Sequence, residues 1–202
     1  LCSFTLRSEE RPNILWITSE DNNVSWMGCY GNEYAETPHI DQLAKEGFRY
    51  EHCYSNAPVC APSRFTWLTG VHAISAGTHP MRSGHRIPQA FSFYNKILSE
   101  GGYYITNQTK TDYNYSGFDA NSLWDSQKDE TLKGKGQHWQ HRAEGQPFFA
   151  VMNIATSHES RAFGGFDNVA HDPQHIKLKK HHPDIPVIRK NYAKYHDAVR
   201  KM

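Results

Sequence analysis

The sequence predicts an α/β fold, a largely parallel sheet flanked by helices, and three observations carry that prediction. Apolar runs of strand length recur along the 202 residues, helix-sized amphipathic segments separate them, and Gly or Pro marks most boundaries. Asn13 to Thr18, following Pro12, is a nearly continuous apolar run, as expected of a strand buried on both faces. It leads directly into Glu20-Asp21-Asn22. Thr37-Pro38 then supplies a helix cap and first-turn proline, Ile40, Leu43 and Ala44 form one apolar face, and Gly47 is the stop. Phe48 to Tyr54 reads as a second strand. Pro62 opens another helix, which carries Phe65 and Leu68 and ends before Gly70, with Cys60 in the loop preceding it.

Ser92 caps a third helix with Phe93, Ile97 and Leu98 on one side, closed by Gly101-Gly102 and followed by the strand-like Tyr103 to Thr106. A polar, Gly- and Lys-rich stretch, Asp112 to Gly145, separates it from the strand candidate Phe148 to Ile154. Ile188, Tyr192, Tyr195, Val199 and Met202, spaced by four and three, form one face of a last helix. No Gly, Asn or Pro stops it, so the fold reads as incomplete at the C-terminus. Open α/β sheets carry their chemistry beyond the carboxyl ends of the strands, which places Asp21 and His158 on one rim.

The 22 basic and 21 acidic residues nearly balance, which gives no reason to expect nucleic acid or an anionic membrane as partner. No run approaches the ~18 apolar residues of a membrane-spanning helix. Leu1 to Leu6 reads either as the remnant of an export signal or as a terminus left by processing. Residues 1–11 are accordingly taken as a tail and 12–202 as one catalytic-domain portion. Cys2, Cys29, Cys53 and Cys60 are too few and too irregular for a disulfide framework or a paired-cysteine zinc site. Lys177 to His182 is a short basic run of the kind that usually forms a solvated loop.

The most specific segment is Cys60-Ala61-Pro62-Ser63-Arg64, followed by Phe65 to Gly70. As a plain thiol, Cys60 near a helix N-terminus and a cation favours the thiolate, while its bland reading is a small buried residue before a helix. The Cys-x-Pro-Ser-Arg core and trailing Leu-Thr-Gly resemble the modification motif of the formylglycine-dependent sulfatases. Arg11 to Leu15 and Gly28 to Gly31 resemble the N-terminus of the same family, so the resemblance spans nearly the whole chain. It implies an alkaline-phosphatase-like mixed sheet and a hydrolase of sulfate esters or sulfamates. It also implies that a formylglycine-generating enzyme oxidises Cys60 to formylglycine, whose hydrated aldehyde attacks sulfur while Arg64 stabilises the sulfate.

By the same resemblance, Glu20 and Asp21, with the modified Cys60, belong to a Ca2+ or Mg2+ site, a role suited to oxygen ligands. Glu20 stands where the family has aspartate, and its extra methylene moves the carboxylate by on the order of 1.5 Å. Lys110 and His158 take sulfate-facing positions; the histidine usually found two residues beyond that lysine is replaced by Asp112. Gly77 to Ser83 resembles polysaccharide-acting, heparan-type members, which makes His79 and Arg82 candidates for contact with a sulfated sugar. His138 and His141 read as surface residues.

Family members continue past this length to further metal ligands, which predicts that the 202-residue chain alone is inactive. Two other readings stay open: a phosphate or phosphonate ester hydrolase of the same superfamily, and a non-catalytic binder of sulfated glycans through Arg64, Lys110 and His158. A cysteine phosphatase fits poorly, because its phosphate loop spaces cysteine and arginine further apart than Cys60 and Arg64.

Overall fold

The computed structural model describes residues 11–128, 139–162 and 169–202. In chain order the principal elements are β1 (Ile14–Ser19), α1 (Pro38–Glu46), α2 (Cys60–Thr69), α3 (Tyr94–Glu100), β2 (Tyr104–Gln108), α4 (Asp125–Lys128), β3 (Phe148–Ile154) and α5 (Pro186–Arg200). The sheet order is β1-β3-β2, and β2 runs parallel to β3 with Tyr104 opposite Phe148 and Gln108 opposite Met152. This is the mixed α/β arrangement with a small parallel sheet that the alternation of elements predicts. The chain divides into two compact units, one from the described parts of 1–17 and 61–152, the other from those of 18–60 and 153–202.

The first unit holds the aromatic core. Phe65, Leu68, Ile105 and Trp124 are fully buried. Trp16 packs against Trp67, Tyr94 and Phe149 with ring centroids 5.5, 5.9 and 6.2 Å apart. A fully buried aromatic such as Trp124 withdraws about 150–250 Å2 from water, on the order of 4–6 kcal/mol at about 25 cal/mol/Å2. Pro62 lies in the first turn of α2, where a missing N–H breaks no helical hydrogen bond. Gly70, at φ 69°, ends that helix in a conformation that disfavours a side chain.

In the second unit, Tyr192, Ala193, His196, Asp197, Ala198 and Val199 are buried on α5, so the predicted stripe is extended by a histidine and an aspartate. Tyr192 and Ala193 join Ile176 in a cluster flanked by Trp26, Tyr34, Leu178 and Ile188.

Five local expectations are corrected. β1 is not buried on both faces: Leu15 and Ile17 are 46% and 53% exposed, because it lies at the sheet edge and alternates. The apolar face of α1 is only partly covered: Ile40 and Ala44 are half-buried and Leu43 is 64% exposed. Phe48 to Tyr54 forms no strand; it pairs with no described strand, and extended backbone without a ladder partner does not make one. Cys60 is the first residue of α2 rather than a loop residue. α3 also starts two residues after Ser92, with Phe93 in the cap position and no side-chain cap. His138 and residues 1–10 lie outside the described residues.

Candidate active site

Cys60 and Arg64 open α2 one helical turn apart, a spacing that puts both on the same face of the helix. Cys60 is half-buried at the first position of α2, where the helix dipole favours negative charge. Arg64 is only 3% exposed. Its guanidinium lies 5.6 Å from the ring centre of Trp67, in a small pocket also lined by Trp16, Tyr94, Asn107 and Tyr113. Burial raises the Tyr94 and Tyr113 phenols, Tyr113 to about 12, while the Arg64 charge opposes the rise at both. A cation this deeply held against π faces keeps one orientation.

Lys110 follows β2, and the chain there is fixed by a short network. Asn107 Nδ2 donates to the Lys110 carbonyl at 3.1 Å and to Tyr113 Oη at 2.8 Å, and Trp124 Nε1 donates to the same phenol at 3.2 Å. Asn107 and Tyr113 were not singled out by sequence. Their signal was only the burial expected just after a strand, which does not separate a packing residue from one that shapes a site.

The loop carrying His79 and Arg82 is pinned to the segment after Lys110. Asn114 Nδ2 donates to the carbonyls of Thr78 and Pro80 at 2.6 and 2.8 Å, and its Oδ1 accepts from Ser83 N at 2.9 Å. Arg82 pairs with Asp112, so the carboxylate standing in place of the expected histidine has a cation beside it. Asn114 and Arg82 both hold positive φ, 60° and 61°, an uncommon state for residues with side chains. His79 is exposed.

In the second unit, Asp21 and His158 come together as the rim argument predicts. His158 Nε2 lies 3.8 Å from Asp21 Oδ2, and that oxygen accepts from Glu159 N at 2.7 Å. His158 Nδ1 accepts from Ser160 N at 3.2 Å; because a backbone N–H can only donate, a neutral imidazole here carries its proton on Nε2. Tyr195 Oη donates to the Asp21 carbonyl at 2.6 Å, and burial followed by the Asp21 charge raises that phenol.

Glu20 is 3% exposed, with its N–H donating to Ile154 O at 3.1 Å and its carbonyl accepting from Ser157 Oγ at 2.6 Å. Asp21 has φ 49°. Among the described residues, no group of three or more His, Cys, Asp or Glu is arranged to hold a metal ion. Glu20 and Asp21 are hard oxygen donors of the right type, but two carboxylates fall short of the ~6–8 oxygens that Ca2+ takes. The described residues therefore do not make a metal site by themselves.

The sulfatase family pattern matches residues 12–202. An ulvan-active sulfatase of Formosa agariphila is 36% identical over 170 residues, 78% of this chain and 27% of that protein. The chain thus spans little more than a quarter of that relative's length. Among solved structures, a 2-O GAG sulfatase superposes with TM-score 0.61 at 15% identity, over 95% of this chain and 52% of that one. A second, solved in complex with its substrate D-glucosamine-2-N,6-O-disulfate, superposes with TM-score 0.54 at 21% identity over 71% and 34%. Both likenesses bear on the fold. No helix among the described residues is long and apolar enough to cross a membrane.

Proposed function

Since this chain belongs to the sulfatase family, we propose that residues 12–202 are the N-terminal part of a hydrolase that removes sulfate from a sulfated glycan. The observation that carries the reading is Cys60 at the first position of α2 with Arg64 buried one turn later, within Cys-x-Pro-Ser-Arg. Oxidation of Cys60 to formylglycine by a formylglycine-generating enzyme would supply a hydrated aldehyde, one hydroxyl for attack and a second whose deprotonation allows exit.

The chain's own residues bind, orient and move protons. Arg64, fixed by its aromatic pocket, presents charge to sulfate oxygens without reorganising. Lys110 adds a second cation on a backbone held by Asn107. His158, in its imidazolium form, would donate from Nε2 to the leaving oxygen. Glu20 and Asp21 would offer two carboxylates to Ca2+ or Mg2+, completed by ligands other than the described residues. His79 is placed on a loop beside the Lys110 segment, where it can meet the sugar. Glycan substrates of the named relatives fit an exported protein.

Mass spectrometry of the peptide containing Cys60 tests the central claim: formylglycine gives a distinct mass and aldehyde reactivity, and an unmodified thiol in active protein would sink it. Rates on matched sulfate and phosphate esters separate this reading from a phosphate or phosphonate hydrolase. Glycan binding without turnover in a formylglycine-bearing protein that also supplies the remaining metal ligands would indicate a binder. Because the described residues bring only two carboxylates, the 202-residue chain alone is expected not to turn over an aryl sulfate.

A further inference from the structure

Lys177, Lys179, Lys180 and His181 do not simply face solvent. They line a cavity of about 530 Å3 in the second unit, whose other walls include Trp26, Tyr34 and Tyr192. We propose that this cavity is a second, non-catalytic binding site for a sulfated saccharide chain, held by lysine charge at its rim and aromatic rings on its floor. The choice of saccharide rests on the reading of the protein as a sulfatase acting on glycans.

The charge is one-sided: three lysines line the cavity against one acid, Glu33. The lysines are exposed while Leu178 between them turns inward onto the Ile176 and Tyr192 cluster, so the cations project together from an anchored backbone. That anchoring is extensive. Arg189 Nη1 donates to the carbonyls of Pro173, Gln174 and Ile176 at 3.2, 3.1 and 2.9 Å, and Arg189 also pairs with Asp184. His182 Nδ1 lies 2.5 Å from Tyr192 Oη, so a tyrosine lining the cavity is also tied to the basic segment.

The floor is equally ordered. Trp26 packs against Tyr195, His196 and Tyr192 with ring centroids 4.5, 4.9 and 5.3 Å apart. His196 lines the cavity with its Nδ1 buried and without a hydrogen-bond partner among the described residues, and burial, then the neighbouring His171, lowers its pKa to about 4. It is thus neutral at neutral pH, and the wall it forms is uncharged there. Charged groups at the rim over fixed aromatic faces suit a ring with an apolar face and sulfate substituents. None of Cys60, Arg64, Lys110 or His158 lines the cavity.

Isothermal titration of the Cys60→Ala protein with a heparin octasaccharide and its fully desulfated counterpart tests this without turnover. A variant that also carries Lys177→Ala, Lys179→Ala and Lys180→Ala removes only exposed side chains, and a thermal melt checks its fold. The expected result is saturable binding of the sulfated chain alone, weakened at least tenfold in the lysine variant. Absence of binding, a loss under tenfold, equal binding of the desulfated chain or equal binding of inorganic polyphosphate would each overturn the site. Failure of the catalytic reading would show separately, as an unmodified Cys60 in the mass spectrum.

Discussion

The two units hold their candidate residues in opposite ways. Around Arg64 the first unit places a cation among Trp16, Trp67, Tyr94 and Tyr113, with Trp124 wholly buried behind the Tyr113 phenol. Around Asp21 and His158 the second unit relies on backbone N–H groups, a tyrosine hydroxyl and a 3.8 Å approach between the two side chains. A charge fixed by packing keeps its position whatever the pH, whereas groups held by hydrogen bonds respond to protonation. The first unit thus holds a cation by packing, and the second an acid and a histidine through polar contacts.

Removing the packed cation should give the largest effect. Arg64→Ala in formylglycine-bearing, active protein is expected to lower kcat/KM for an aryl sulfate by at least ~10^3-fold, about 4 kcal/mol, as for loss of a preorganised donor. It should also lower the melting temperature, because the guanidinium fills the pocket; unchanged turnover would break the contrast. Trp124→Ala should cost about 3–5 kcal/mol in denaturant unfolding through the cavity it leaves and the lost bond to Tyr113. A cost under ~1 kcal/mol would mean that the first unit is not held by its aromatic core.

The pH response belongs to the second unit. His196 has its pKa lowered from 6.5 to about 4, chiefly by burial, so between those values the unfolded chain binds a proton that the folded one does not. Its contribution, on the order of 3 kcal/mol, is present above pH ~6.5 and lost as the pH falls toward 4. Asp197 follows: burial pushes it up, but bonds from His171 and two backbone N–H groups outweigh that and hold it below 3.8, so its contribution persists to lower pH and is lost as the pH falls through that depressed value. Urea unfolding from pH 7.5 to 4 should show this decline, and His196→Gln should flatten it. Smallest is Arg82→Ala, which breaks an exposed pair with Asp112 and should change stability by about 0–1 kcal/mol. A loss of ~2 kcal/mol or more would show that Asn114 is not what secures that loop.

Much of the chemistry was legible in residue order. Cys60 to Gly70 shows its motif without any tertiary information, because the motif is contiguous. The spans of β3 and α1 and the end of α2 at Gly70 follow from local periodicity and from glycine and proline geometry. The pairing of Asp21 with His158 followed from placing both beyond strand ends. Phe48 to Tyr54 shows the limit: its composition suits a strand, but a strand exists only with a partner, which no local pattern supplies.

Tertiary structure alone decided what surrounds these residues. That Asn107 and Tyr113 frame Arg64, that Asp112 is paired with Arg82, and that a basic run lines an aromatic cavity all depend on positions far apart in sequence. Sequence determines which groups can bind an anion or carry a proton, since that is a property of each side chain. Burial and long-range neighbours set how firmly each is held and which charge it keeps, and those exist only once the chain has folded.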